Sequence, residues 1–172
     1  MVNNKIVYQF FLGLSPDSRG RLIGDILEFD ESEIENNHDF IQWIFPTKEA
    51  SQYNYSAPQI SEMFKDLFLN NEIAQENFCE SCRMFLNFIG FDCCNKKDNI
   101  ITNIKNKKKY YDLPTHNLLR ITRVLNSLNQ IGKKSCSKKL FIQLEKIRNE
   151  NPKKVPKDSF EFWKRTQCTC SH

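Results

Sequence analysis

The sequence predicts an all-α fold, a single-domain compact bundle of about six to eight helices. Three observations carry that expectation. Apolar residues recur at three- and four-residue spacing in several long segments, as one buried helix face requires. Glycine and proline are scarce, 5 and 6 in 172 residues, so the chain has few tight turns to join short strands. No stretch alternates apolar and polar residues well enough to compete with the helical patterns.

The elements follow in chain order. "SRGRLIGDILEF" (18–29) sets Leu22, Ile23, Ile26 and Leu27 at helical spacing. Ser32 or Asn37 can open the next helix, and Pro46 closes it. That helix would bury Ile41, Trp43, Ile44 and Phe45. Residues 46–58 read as a loop. A helix begins after Ser61, and a longer one follows with Ile73, Phe78, Cys82, Phe85, Leu86 and Ile89 on its inner face, stopped by Gly90. Residues 92–114 read as an irregular basic loop or a short helix. "THNLLRITRVLNSLNQIG" (115–132) is the clearest helix. Leu118, Ile121, Val124, Leu125, Leu128 and Ile131 form its apolar face, Asp112 or Thr115 caps it, and Gly132 ends it. Residues 136–150 form another amphipathic helix, and a last short one starts near Asp158. Trp163 on that last helix either packs back onto the bundle or stacks on a partner.

Composition narrows the class. At 40% hydrophobic and 27% charged, the chain is globular rather than disordered. No apolar run approaches the roughly 18–20 residues that span a bilayer. "MVNNKIVYQFFLGLSP" lacks a clear cleavage pattern, so no secretory signal is expected. An intracellular, cytoplasmic location with reduced thiols follows as the expectation for the 7 cysteines. Cys79-x-x-Cys82 and the terminal Cys168, Cys170 and His172 have metal-ligand spacing, but the C-x-x-C lies in a helical stretch. No metal and no cofactor are expected.

Charge is divided along the chain. Residues 1–94 hold 6 Lys+Arg against 15 Asp+Glu, a balance of −9; residues 95–172 hold 19 against 6, a balance of +13. The two halves attract each other within one domain, or the basic half attracts an external anion. For nucleic acid the candidates are Lys105, Lys107, Lys108 and Lys109, with Tyr110 and Tyr111 as stacking platforms.

Two polar groups carry possible chemistry. His116, Arg120 and Arg123 share one stripe of the 115–132 helix, off its apolar face. Guanidinium groups there suit a carboxylate or phosphate. Upstream, His38 and Gln42 are i, i+4 neighbours, with Asn37 and Asp39 beside them. If the stripes face each other, Asn37, His38, Asp39, Gln42, His116, Asn117, Arg120 and Arg123 line a ligand site. In an enzyme, His38 or His116 would act as general acid or base, oriented by Asp39. In a buried network, Asp39 would instead pair with Arg120 or Arg123. Phosphate-binding glycine loops and a nucleophile elbow are absent, so the enzyme reading is the weaker one.

The same residues carry a resemblance. "HDFIQWIFP", then "MFLNFIGF", then "HNLLRITRVLNSLNQIG" resembles the conserved region of the opioid growth factor receptor family. That pattern runs H-D-Y-I-Q-W-L-F-P, M-L-x-F-x-G and H-N-x-L-R-I-T-R-I-L-x-S-L-x-x-x-G. The blocks span residues 25–132, and 133–172 would be a basic helical extension packed on them. Phe40 stands where the family usually has Tyr, and Asn129-Gln130 where Gly or Glu is common. The resemblance implies a binding or regulatory domain, associated in animals with an enkephalin peptide and the nuclear periphery. It implies no catalytic mechanism. The expected partner is a peptide or an acidic small molecule.

Overall fold

The computed structural model describes residues 4–52, 54–96 and 99–168, with backbone alone for 93–96 and 99–103. The described residues include ten α-helices, a short 3-10 helix (Pro152–Lys154) and one two-stranded hairpin. The helices outnumber the expected six to eight because several are only one or two turns long.

Three long helices frame the bundle: α6 (Glu72–Phe88), α8 (His116–Gln130) and α9 (Lys134–Glu150). The 115–132 pattern is realised as read. Leu118, Ile121, Val124, Leu125, Leu128 and Ile131 are all buried, and Gly132 at φ +93° turns the chain into α9. α10 (Lys157–Cys168) lies on α8. It buries Trp163, whose indole Nε1 donates to Thr122 Oγ1 at 2.9 Å. Trp163 therefore packs back onto the bundle.

α1 (Asn4–Phe11) and α5 (Glu62–Leu69) close the other side of the core. Phe11, Phe68, Phe78 and Phe45 form a chain of edge contacts, with centroids 6.0, 5.6 and 5.7 Å apart in turn. Asn77 on α6 donates to the Phe11 carbonyl at 2.8 Å, pinning α1 to it. The inner face of α6 matches expectation at Phe78, Cys82, Phe85 and Leu86, with Ile89 just beyond its end. Ile73 departs from it, being 56% exposed at the helix start.

The segment before Pro46 is not one helix. α2 (Ile23–Leu27) is followed by α3 (Glu31–Asn36), then an extended break, then the single turn α4 (Ile41–Ile44). Asp30, rather than Ser32 or Asn37, opens α3. Its carboxylate accepts from Glu33 N at 2.8 Å while Glu33 accepts from Asp30 N at 2.9 Å, a reciprocal capping box. The core positions survive the break: Phe40, Ile41, Trp43, Ile44 and Phe45 are all buried.

Residues 92–114 also differ from the expected loop or short helix. β1 (Phe91–Lys96) pairs antiparallel with β2 (Asn99–Ile104), Phe91 opposite Ile104, and α7 (Lys107–Tyr111) follows. Gly90 makes the corner. Its carbonyl accepts from Lys105 N and Asn106 N, both at 2.9 Å, at φ +92°. A Cβ there would stand 2.6 Å from the Asn106 carbonyl oxygen, so only glycine fits. No helix among the described residues is long and apolar enough to cross a membrane.

Candidate functional site

A cleft of about 690 Å3 opens between α8 and the segment after Pro46. One wall is a single helical stripe: His116, Leu119, Arg123 and Asn126, spaced i, i+3, i+7 and i+10, with Arg120 and Thr122 beside it. The other wall holds His38, Ile41, Gln42, Thr47 and Glu49 through Gln52. The two polar groups of the sequence are thus brought together, although His38 and Gln42 do not share a helix. Gln42 folds back locally; the acceptors around its amide assign the inward atom as nitrogen, which then donates to the carbonyls of His38 and Asp39 at 3.2 and 3.0 Å.

Arg120 is the buried centre of this region, 5% exposed. Its Nη1 donates to the Ile34 carbonyl at 2.8 Å and to Asn117 Oδ1 at 3.1 Å. Its Nη2 donates to the Asn37 carbonyl at 2.7 Å and the Glu35 carbonyl at 3.3 Å, and meets His38 Nδ1 at 3.0 Å. These are the carbonyls that the end of α3 leaves unpaired. Arg120 is therefore a helix cap reaching across the fold, with both Nη groups committed. Burial holds its pKa below the usual arginine value, with Glu35 opposing.

Glu35, on α3, joins the network although it carries no signal in the sequence. Its Oε2 accepts from Asn117 at 3.0 Å, and its Oε1 stands 3.0 Å from His116 Nε2, without an aligned hydrogen bond. The rings of His38 and His116 meet edge to face, 5.1 Å apart. Burial lowers the His116 pKa below 6.5, and Arg120 and His38 add to that against Glu35. Asn117 is fully buried, and Asn37 turns its side chain to the Glu33 carbonyl at 2.8 Å. Neither is among the residues that line the cleft.

Asp39 overturns two expectations. It neither orients a histidine nor pairs with Arg120 or Arg123. It turns the other way, to an ion pair with Arg19 and a 3.1 Å contact with Arg21, which also holds buried Asp17 at 2.7 Å. The bend after Asn37 is the cause. It removes the helical register that would have kept Asp39 near the His38 stripe.

Arg123 is different from Arg120. Its Nε donates to the Phe45 carbonyl at 2.8 Å, and that is its one hydrogen bond among the described residues. Its Nη2 is buried without a partner. Burial pushes its pKa down to about 10, with nearby Glu49 opposing. Glu49 itself is held by Gln130, at 2.8 and 3.1 Å to its two oxygens. A guanidinium hydrogen-bonded through Nε alone, with its Nη2 buried and unpartnered, is a strong donor to a carboxylate or phosphate.

The basic stretch offers less than its composition promised. Lys105 and Lys108 are exposed, but Lys107 pairs with Glu150, and Lys109 with Glu31 of the acidic half. Tyr110 is 3% exposed against Phe91, so it cannot stack on a base, and Tyr111 is half-buried. Cys82 is in the core and Cys79 half-buried. Cys170 and His172 lie outside the described residues, as do the side chains of Cys93 and Cys94.

Comparison with known proteins now bears on this arrangement. Residues 6–169 match the family model of the opioid growth factor receptor conserved region. An opioid growth factor receptor-like protein 1 of Xenopus tropicalis is 30% identical over 72% of this chain and 25% of its own length. That of Rattus norvegicus is 27% identical over 94% of this chain and 36% of its own. The opioid growth factor receptor of Homo sapiens is 30% identical over 77% of this chain and 21% of its own. The chain thus spans between about a fifth and a third of these relatives. No solved structure matches. With nearly its whole length matched by that model, the chain belongs to the opioid growth factor receptor family.

Proposed function

We propose that the cleft along α8 is the ligand site of a regulatory binding domain, and that its ligand is a peptide carrying an acidic group. The observation that carries this reading is Arg123. A half-buried guanidinium whose Nη2 is shut away without a hydrogen-bond partner is costly unless something else completes it. A carboxylate from a ligand supplies two further acceptors in the geometry the fork prefers. Leu119, 51% exposed, and Ile41 offer an apolar seat beside it. Relatives named as receptors of a growth factor agree with a ligand-binding role.

The site is legible in terms of residue roles. Arg123 anchors the anion, and Asn126 one turn on contributes an amide. His38 presents an Nε2–H, because its Nδ1 accepts from Arg120. Arg120, Asn117 and Glu35 hold that histidine wall in place.

The test is a titration of the chain with a short acidic peptide and with its amidated, uncharged counterpart, followed by thermal unfolding. Binding to the native state raises the midpoint by mass action. The acidic peptide should bind, and Arg123→Gln should weaken it by about tenfold or more while leaving the fold intact. Equal binding of both peptides, or an unchanged affinity in Arg123→Gln, refutes the assignment.

A further inference from the structure

A second surface shares no lining residue with the cleft. It is a groove of about 420 Å3, lined by Lys134, Ser135, Lys138, Phe141 and Ile142 of α9 and by Gln167 of α10. Lys134, Lys138 and Phe141 are spaced i, i+4 and i+7, with Ile142 next to Phe141, so they form one stripe of α9. The floor is apolar and fixed in place. Phe141 is stacked on Phe160 of α10 with centroids 5.7 Å apart, and the Arg148 guanidinium covers Phe160 at 4.7 Å. Gln167 is anchored too, its amide donating to Ser137 Oγ at 3.0 Å. Ile142 stands 39% exposed in this setting.

The charges on this stripe are unspent. Lys134 and Lys138 are exposed, and neither meets a carboxylate among the described residues. Lys107 and Lys109, by contrast, pair with Glu150 and Glu31. One turn beyond Phe141 on the same stripe, Glu145 is exposed and has no cationic partner among the described residues. The stripe therefore runs from two ammonium groups, over an apolar floor, to a carboxylate. Four residues of helix set the two lysines about 6 Å apart along the axis, which is also the rise between acidic residues four apart on a second helix.

That order of charges selects the partner. A nucleic acid strand fits it badly, because its phosphates would run from the lysines onto Glu145 and Phe141 already has a face stacked on Phe160. We propose that the groove docks an acidic amphipathic helix of a second protein. An apolar side chain of that helix sits on Phe141 and Ile142, and two carboxylates one turn away meet Lys134 and Lys138. Helix-in-groove recognition reads residues three and four apart in this way. The apolar contact supplies affinity. The lysines set the register, and Glu145 sets the direction by repelling an acidic residue at its end. The floor is held before binding, so little order is lost there.

Selection from a random-peptide display library on the whole chain tests this, after depletion of the library on a variant carrying Lys134→Glu and Lys138→Glu. Both positions are exposed, so the variant should unfold at the wild-type midpoint. Depletion removes peptides that bind elsewhere, the α8 cleft included, so the result is independent of that reading. The surviving peptides should carry two acidic residues four apart with an apolar residue one turn beyond them. A synthesised survivor should bind the wild type, and more weakly as salt rises. Its affinity should fall at least about tenfold for Lys134→Gln with Lys138→Gln, which removes both charge pairs. Ile142→Ser should cost about tenfold as well, through lost apolar contact. A selection that leaves no survivors overturns the proposal. So do survivors without that spacing, or one whose affinity ignores Ile142→Ser. A mixed-sequence single-stranded oligonucleotide is the second probe. If it binds more tightly than the peptide, through the lysines and regardless of Ile142, the surface belongs to nucleic acid and the proposal falls.

Discussion

Arg120 Nη2 stands 3.0 Å from His38 Nδ1, and this contact decides what the histidine can do. A guanidinium only donates, so Nδ1 must be the lone-pair nitrogen and the neutral ring carries its proton on Nε2. The same guanidinium holds three carbonyls at and beyond the end of α3. One side chain thereby joins the turn of α3 to the cleft wall.

Arg120→Met should cost about 3 kcal/mol or more, because buried carbonyls lose charge-assisted hydrogen bonds without gaining water. Arg120→Lys should recover little, since a single ammonium cannot reach the spread of acceptors. Chemical denaturation reads the loss as a lower midpoint at unchanged slope. A cost under about 1 kcal/mol would mean that the network is not holding α3.

Asp17 and Asp39 should separate in a mutation pair. Asp17 is 5% exposed and accepts from the backbone N–H of Arg19 and Arg21 at 2.8 and 3.0 Å besides the Arg21 side chain. Asp17→Ala should destabilise by about 3 kcal/mol, leaving Arg21 and two amides short of a partner. Asp39→Asn lies nearer solvent and should cost less. It should also leave ligand affinity unchanged, because its carboxylate faces away from the cleft. A large loss of affinity in Asp39→Asn would return it to the site.

Acid should weaken the fold through His116. Its folded pKa lies below the 6.5 of the free side chain, chiefly through burial. Between those two values the unfolded chain binds more protons, so stability falls as pH drops below about 6.5 and is full above it. Glu35, which favours the charged ring, limits the effect. The difference in unfolding free energy between wild type and His116→Gln should therefore change between pH 7.5 and pH 5. A difference that is constant across that range removes the histidine from the acid response.

Gly90→Ala should destabilise by more than about 1 kcal/mol. The added carbon meets the Asn106 carbonyl at 2.6 Å, and φ +92° is strained for any L side chain. Gly20, at φ +83° with open space around it, is the control and should cost less when changed to alanine. Equal effects at the two positions would show that contact at the hairpin corner adds nothing to backbone strain.

Legibility was uneven across the molecule. The 115–132 helix was readable to its last core residue, because each apolar side chain there serves one local periodicity. Trp43 and Phe45 were readable as core for the same reason, even though the helix around them is only one turn. The expectation for Asp39 failed because it assumed an unbroken helix, whereas the chain turns extended at Asn37 and the carbonyls around that bend go to Arg120 on another helix. Glu35 was invisible, since it becomes a partner of His116 and Asn117 only when α3 meets α8. Leu119 and Asn126 were within reach. They fall on the same stripe as His116 and Arg123, and an i+3, i+7, i+10 count finds them.

The sequence by itself determined the helical class, the inner faces of the long helices and the membership signalled by its two histidine-containing blocks. These depend on spacing along one segment, which local geometry converts directly into a face. Tertiary structure alone decided which of two neighbouring arginines is spent and which is open. Arg120 and Arg123 sit three residues apart on one helix with the same chemistry. What differs is the backbone each meets, the carbonyls at the end of α3 for one and a single carbonyl of Phe45 for the other. Hydrogen-bond capacity is consumed by whatever lies across the interface, and no periodicity within a helix records that.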